Sequence, residues 1–167
     1  MLKFEKPVYK IAEYVENNFF GKFELEPLER GFGTTLGNAL RRVMLSSLPG
    51  SAISSIKIDG VSHEFQTIDG VVEDVSLIIL NLKDVVIKNH SNEAKVMRLS
   101  ANKEGIVKAG DIEHDSDIEI INPDKVIANL AKGGSLNIEM NVTNGRGYVR
   151  SEENKKLAEE QHHKMIT

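Results

Sequence analysis

An amphipathic stretch between a glycine-rich loop and a Pro-Gly pair constrains the fold of this chain more than any other feature. From residue 34 to residue 48, apolar residues recur at spacings of three and four, which is the period of a helix with one apolar face. Thr34 or Thr35 can cap the first turn, and Pro49-Gly50 ends the pattern. The sequence therefore predicts a helix over residues 34–48, about 20 Å long.

Strand patterns flank this helix on both sides. Residues 22–26 alternate polar and apolar side chains, and residues 51–58 form a second extended run. Asp59-Gly60 is a strong two-residue hairpin signal, so a returning strand is expected directly after it. The residues expected on one face of that returning strand are Val61, His63 and Phe65.

A second helical pattern and a series of short strands follow. Apolar residues repeat at three and four over residues 71–82, which predicts a helix. Beyond it, turn signals such as Asn122-Pro123 and Gly133-Gly134 separate short apolar runs. The strands predicted from these runs cover residues 85–87, 95–100, 105–108, 118–121, 126–130 and 135–142. Residues 144–147 break the last strand pattern, and the charged residues 150–164 are expected to form a solvated tail.

Composition is that of an ordinary globular chain. Of the 167 residues, 40% are hydrophobic and 28% are charged, which excludes disorder throughout. The absence of cysteine excludes disulfides and cysteine-ligated metal sites. A net charge of −4, with Lys and Arg scattered among acids, argues against direct binding to DNA. The start has no signal-peptide pattern and no apolar run approaches ~20 residues, so we expect a cytoplasmic chain without membrane contact.

Motifs distributed along the chain add a family resemblance. Residues 25–42 read LEPLERGFGTTLGNALRR and closely resemble the signature of the bacterial RNA polymerase alpha subunit family. Further matches keep the order found in that family. They lie at residues 45–50, 58–65, 69–74, 81–83, 109–115 and 145–149. So many landmarks in one order make a chance likeness implausible.

The resemblance implies a two-lobed α+β fold. One lobe is a partial strand-helix dimerisation lobe, and the other is an inserted mixed lobe of mostly antiparallel short strands with a helix. On this basis residues 1–49 begin the discontinuous first lobe, residues 50–149 form the inserted lobe and residues 150–167 form a charged tail. The segment that returns to the first lobe in the family is not matched here, so the chain is expected to be a piece of a longer subunit.

The same resemblance implies a non-catalytic scaffold without cofactor or metal. In the family two alpha subunits pair and then dock the beta and beta-prime subunits for DNA-templated transcription, so a homodimer with these partners is expected. The residues that match the dimer-facing helix are Leu36, Ala39, Leu40, Val43 and Met44. The residues expected to bind beta or beta-prime are Arg30, Arg41, Arg42, Leu45, Ser46, His63 and Lys83. Arg146, between two glycines, is interpreted as structural, with a polymerase contact as the alternative.

Other interpretations of individual motifs stay open. An amphipathic helix usually buries its apolar face within its own domain, which is the ordinary alternative for residues 34–48. Gly31 and Gly33 precede a helix but fit neither GxGxxG nor GxxxxGK[ST], so they indicate a tight turn more than a nucleotide site. The polar cluster at residues 114–119 fits no zinc or calcium pattern and favours a polar turn.

Two alternative functions remain. The chain is a small enzyme if His63, His114 and nearby acids share a pocket in which their titration is strongly perturbed. It is a stand-alone regulatory module that mimics the alpha subunit if its gene ends after Thr167. The sequence contains no Ser-His-Asp, Gly-x-Ser-x-Gly or paired-carboxylate signature that would favour the enzyme.

Overall fold

The chain divides into two compact units, Met1–Ser47 and Leu48–Thr167, which we call the amino-terminal and carboxyl-terminal units. A computed structural model describes residues 5–15 and 20–156. Each unit mixes strands with helix, and the predicted α+β class is confirmed. Among the residues described, none of the helices is both long enough and apolar enough to span a bilayer.

The amino-terminal unit begins with a two-stranded antiparallel hairpin. Strand β1 (Val8–Val15) pairs with β2 (Phe20–Glu26). The alternation at residues 22–26 predicted most of β2, whereas β1 was not predicted. A register shift between Ile11 and Glu13 interrupts the alternation of side chains along β1, which hides its period of two in the sequence.

Helix α1 (Phe32–Ser46) completes the amino-terminal unit and begins and ends two residues before the predicted 34–48. Gly31 precedes it with a φ of 92°, a left-handed conformation that glycine adopts without steric cost. No side chain caps this helix, so the predicted cap at Thr34 or Thr35 is wrong. Both threonines lie inside the helix because the glycine turns the chain into it earlier.

The carboxyl-terminal unit is built on a five-stranded sheet in the order β5-β9-β3-β4-β7, beside a two-stranded sheet of β6 and β8. Every pairing is antiparallel. The elements are β3 (Pro49–Ile58), α2 (Val75–Lys83), β4 (Ile87–Asn89), β5 (Lys95–Ala101), β6 (Gly105–Lys108), β7 (Ile118–Ile120), β8 (Val126–Leu130) and β9 (Leu136–Arg146). A 3-10 turn covers Ala109–Asp111, and residues 151–156 are helical. The rest of the expected 150–164 tail lies outside the described residues.

Strand β9 lies between β5 and β3 in the sheet and supplies much of the core. Its alternate residues are buried, as the sequence pattern predicted: Leu136, Ile138, Met140 and Val142. Burying one aliphatic side chain of this size contributes about 1.5–3 kcal/mol relative to leaving it exposed. β9 continues to Arg146, opposite Pro49, so the predicted break at residues 144–147 is wrong. Pairing with the start of β3 keeps the backbone extended through Gly145.

Helix α2 starts four residues later than predicted. Val71 forms a bridge with Leu130 of β8, and this pairing keeps Val71 out of the helix. Asp74 then caps the helix, because its side chain accepts a 2.7 Å hydrogen bond from the N–H of Leu77. The helical residues that enter the core are Val75, Ile78 and Leu82.

The hairpin predicted at Asp59-Gly60 does not form. Gly60 has a φ of 75° and does turn the chain, but residues 61–65 are not a strand. They belong to a loop in which the Gln66 side chain accepts from the N–H of Ser62 and donates to the carbonyl of Gly60. β3 pairs instead with β9, and this pairing continues to Ile58, opposite Ile138, directly before the turn.

Candidate docking surfaces

Helix α1 carries an apolar face that lies exposed. It contains no buried residue, although its sequence is amphipathic. The exposed fractions are 59% for Leu40, 53% for Val43, 63% for Met44 and 67% for Leu45. Leu36 is half-buried and Ala39 is exposed. Contiguous exposed apolar side chains of this kind are typical of a surface that meets another polypeptide.

Two adjacent arginines flank this apolar face. Arg41 and Arg42 are exposed, and among the described residues neither takes part in an ion pair. Their side chains leave the helix about 100° apart. The Ser46 hydroxyl donates to the carbonyl of Arg42 at 2.7 Å, so it is used within the helix. Arg30 is exposed in the turn that precedes α1.

The other two residues expected at docking sites lie in the carboxyl-terminal unit. His63 is exposed in the loop after β3, and its carbonyl accepts a 3.3 Å hydrogen bond from the N–H of Gln66. Lys83 is the exposed last residue of α2, where the helix dipole favours a cation. The structure therefore groups Arg41, Arg42, Leu45 and Ser46 on one helix and places His63 and Lys83 on other elements.

Two adjoining clefts lie beside β3 in the carboxyl-terminal unit. The larger has a volume of about 740 Å³ and extends from β3 to the end of β9 and the helical residues that follow. The smaller, of about 230 Å³, lies between β3 and the end of α2. Lys83 lines both clefts. Arg146, Tyr148 and Lys155 line the larger one, and sequence reasoning missed them as a group because no periodic pattern links them.

The polar cluster at residues 114–119 forms ion pairs, with Lys95 at its centre. The Lys95 ammonium lies 2.6 Å from Asp117 and 3.2 Å from Asp115. The hydrogen bond from Lys95, followed by that from Ser116, lowers the pKa of the Asp115 carboxyl. The hydrogen bonds to Asp117 and then to Asp115 raise the pKa of Lys95. Within the described part of the chain, no three His, Cys, Asp or Glu side chains are arranged to hold a metal ion.

Comparison with known proteins identifies the family. The family described as RNA polymerase Rpb3/RpoA insert domain matches residues 56–167. The DNA-directed RNA polymerase subunit alpha of Desulforamulus reducens is 58% identical over 156 residues, which cover 93% of this chain and 50% of that protein. The same subunit of Symbiobacterium thermophilum is 58% identical over 155 residues, covering 93% and 49%. That of Alkaliphilus oremlandii is 55% identical over 154 residues, covering 92% and 49%.

This chain belongs to the bacterial RNA polymerase alpha subunit family. The resemblance drawn from the motifs is thereby confirmed. The chain spans about half the length of the curated relatives it matches. Within this alpha-family chain, the insert-domain match begins at residue 56 inside β3 and includes α2 and β4 to β9. Helix α1 lies outside that match.

Proposed function

We propose that this chain acts as a non-catalytic scaffold of bacterial RNA polymerase. It belongs to an alpha subunit that pairs with a second copy and docks the beta and beta-prime subunits for DNA-templated transcription. The exposed apolar face of α1 is the observation that carries the proposal. An amphipathic helix with no buried residue gains stability only when another surface covers it.

The α1 face suits both parts of this role. Leu36, Ala39, Leu40, Val43 and Met44 supply the apolar residues proposed to pair with a second copy. Arg41 and Arg42 stand beside them without an ion-pair partner among the described residues. Arginine can bind a carboxylate bidentately, and it is enriched where proteins meet, which supports a docking role for these two residues and for Arg30.

The histidines support the scaffold over the enzyme. His63 and His114 line neither of the two clefts beside β3. The ring Nδ1 of His114 lies 3.0 Å from the carbonyl oxygen of Asp115, a contact within its own turn. The acids near His114 pair with Lys95. A net charge of −4 further supports a role in which this segment reaches DNA only through partner subunits.

Binding to a beta subunit tests the proposal. The full chain is immobilised and its affinity for the purified beta subunit of Desulforamulus reducens polymerase is measured. Arg42→Ala is expected to weaken binding about tenfold or more, as a docking anchor does. Arg98→Ala, in the carboxyl-terminal unit, is the control: Arg98 is also exposed, but it pairs with Glu139 of the same unit. Equal affinity of Arg42→Ala and the unaltered chain would show that Arg42 is not an anchor, and no binding by the unaltered chain contradicts the proposed role.

A further inference from the structure

The two clefts beside β3 form one continuous groove. They share residues 52–55 and Lys83 as common walls. The smaller cleft is lined mainly by aliphatic side chains: Ile53, Ile56, Ile79, Leu82 and Val85. The larger cleft adds polar and aromatic residues from the end of β9 and from the helical residues 151–156. The aliphatic side chains therefore dominate one end of the groove, and the polar and charged side chains lie at the other.

The polar end carries positive charge. Lys83, Arg146 and Lys155 line it, and among residues 5–15 and 20–156 no acidic residue lines either cleft. Among the described residues none of these three cations forms an ion pair. In the same unit Lys95, Lys108 and Lys125 lie against aspartates, whereas Lys83, Arg146 and Lys155 lie together in one cleft. The cation cluster of the groove thus stands out in a chain whose net charge is −4.

One backbone edge of β3 opens toward this groove. β3 pairs with β9 along its whole length, but on its other side its one pairing among the described residues is with β4, at Ser51 opposite Ile87. Residues 52–56 therefore have one strand neighbour, and these residues wall the smaller cleft. An exposed strand edge of this kind can accept the main chain of an extended peptide.

We propose that this groove binds an extended segment of a partner polypeptide in which apolar residues are followed by carboxylates. The apolar residues lie between β3 and α2, the peptide main chain bonds to residues 52–56, and the carboxylates reach Lys83, Arg146 and Lys155. An antiparallel orientation places the acidic half at the start of β3, where Arg146 faces Pro49. This inference deepens the proposed docking role of Lys83 and rests on it.

A nucleic acid fits this groove less well than a peptide. Binding to phosphate backbones depends on many cations spread over a basic face, whereas this chain has a sequence pI of about 5.8 and three described cations line the groove, at one of its ends. A phosphate backbone would also leave the aliphatic wall of Ile53, Ile56 and Ile79 unfilled. An acidic amphipathic peptide fits the groove better, because it can place apolar side chains in the smaller cleft, main-chain groups at the β3 edge and carboxylates near the three cations.

The test measures binding of a fluorescein-labelled octapeptide to the full chain by fluorescence anisotropy. The peptide carries valine, threonine, leucine and threonine, followed by four glutamates. Lys83→Gln combined with Arg146→Gln is expected to weaken binding about tenfold or more, because both charge-assisted contacts are lost. Ala52 is exposed and lines both clefts, so the larger side chain of Ala52→Trp should fill the groove and abolish binding. Lys103→Gln combined with Lys132→Gln removes the same charge outside both clefts and is expected to change nothing.

The probes separate the possible occupants. A peptide with glutamine for glutamate, or with proline at alternate positions, is expected to bind at least about tenfold more weakly, because it loses the carboxylates or the main-chain donors. Equal competition by inorganic phosphate or by a twelve-nucleotide oligothymidine overturns the proposal in favour of a general anion site. The proposal is also overturned if the octapeptide binds the double variant Glu159→Gln with Glu160→Gln but not the unaltered chain. That result would mean that the chain's own carboxylates compete for the groove.

Failure of the groove proposal is distinguishable from failure of the scaffold proposal. If the unaltered chain binds the beta subunit but not the octapeptide, the groove proposal is wrong and the scaffold proposal stands. If the octapeptide binds, with the expected loss in the Lys83 and Arg146 variant, but the beta subunit does not, the groove is a peptide site outside the proposed scaffold role.

Discussion

Glu73 holds Asn129 by two short hydrogen bonds: its carboxylate accepts the backbone N–H of Asn129 at 2.7 Å and the side-chain amide at 2.6 Å. The pair fastens the segment before α2 to β8, next to the bridge between Val71 and Leu130. Both residues are only partly exposed, so water compensates poorly for the loss of either partner.

Glu73→Ala is therefore expected to lower the free energy of unfolding by about 2–3 kcal/mol, the range for hydrogen bonds to a charged group that leave a donor unsatisfied. Urea unfolding followed by circular dichroism measures the change. Glu104→Ala, at an exposed position of the β5–β6 turn, is the control and is expected to have little effect. A Glu73 variant as stable as this control would show that the two bonds contribute nothing.

Core packing around β9 gives a second prediction. Met140 is fully buried and lies opposite Met97 of β5 and Ile56 of β3. Met140→Ala is expected to cost about 2–5 kcal/mol, because it removes buried atoms and leaves a cavity. Val96→Ala, whose side chain is about half exposed, is the control and is expected to cost well under half as much. Similar unfolding midpoints for the two variants would contradict the contribution of β9 to the core.

The close approach of two loops gives a third prediction. A Cβ added at Gly70 would meet the backbone of Gly134, and one added at Gly134 would meet the carbonyl of Gly70. Gly70→Ala and Gly134→Ala are each expected to destabilise the unit by about 1–3 kcal/mol through overpacking. Gly145→Ala has open space and serves as the matched control, expected to be neutral or slightly stabilising. Thermal unfolding separates the three variants.

The ion pairs of Lys95 predict a dependence of stability on pH. Folding lowers the pKa of Asp115 from its ordinary 3.8, so its stabilising effect is full above that value and is lost as the pH falls through the folded-state pKa. Folding raises the pKa of Lys95 from 10.5, so its effect is full below that value and is lost as the pH rises further. Lys95→Met should lower Tm slightly between these limits.

The difference in Tm between the unaltered chain and Lys95→Met should vanish in acid and shrink at high salt, because these side chains are near water. Lys103→Met, which removes an exposed lysine outside any ion pair of the described residues, should show no such pH profile. A constant difference across the whole pH range would mean that Lys95 acts through packing of its methylenes and not through its charge.

Self-association through α1 is the fifth prediction. Leu40→Glu combined with Val43→Glu places two carboxylates on the exposed apolar face of α1, and repulsion between copies should disrupt pairing. Sedimentation velocity of the full chain is expected to show a dimer that becomes monomeric in this variant. Val72→Glu combined with Ile106→Glu makes the same change on exposed residues of the other unit and should leave the dimer intact. A monomeric unaltered chain would contradict pairing through α1.

The sequence predicted elements best where one local pattern decides the structure. The alternation through Leu136, Ile138 and Met140 identified the most buried strand, because a strand with one face in the core must alternate. β6 and β8 were found at their observed bounds. The cap predicted at Thr34 or Thr35 was wrong because a glycine with positive φ precedes α1, and a side-chain pattern does not predict a backbone angle.

Non-local pairing accounts for the larger errors. The Asp59-Gly60 turn exists, but β3 pairs with residues 136–146 and not with the residues directly after the turn. A short-range sequence pattern does not identify a partner strand so far along the chain. The groove was missed for the same reason. Lys83, Arg146 and Lys155 come from the end of a helix, the end of a strand and a later helical turn, and only the folded sheet brings them to one cleft.

The first ladder pair of β3 and β9 joins Pro49 to Arg146. Chain entry and chain exit of this sheet therefore sit about 5 Å apart, the separation of neighbouring strands. Residues 49–146 can therefore be inserted into a longer polypeptide with as little displacement of the flanking backbone as a tight loop would cause. Changes in the length or sequence of residues 49–146 would leave the flanking backbone in place. The surface of this segment can therefore vary without disturbing the contacts made by the rest of the molecule.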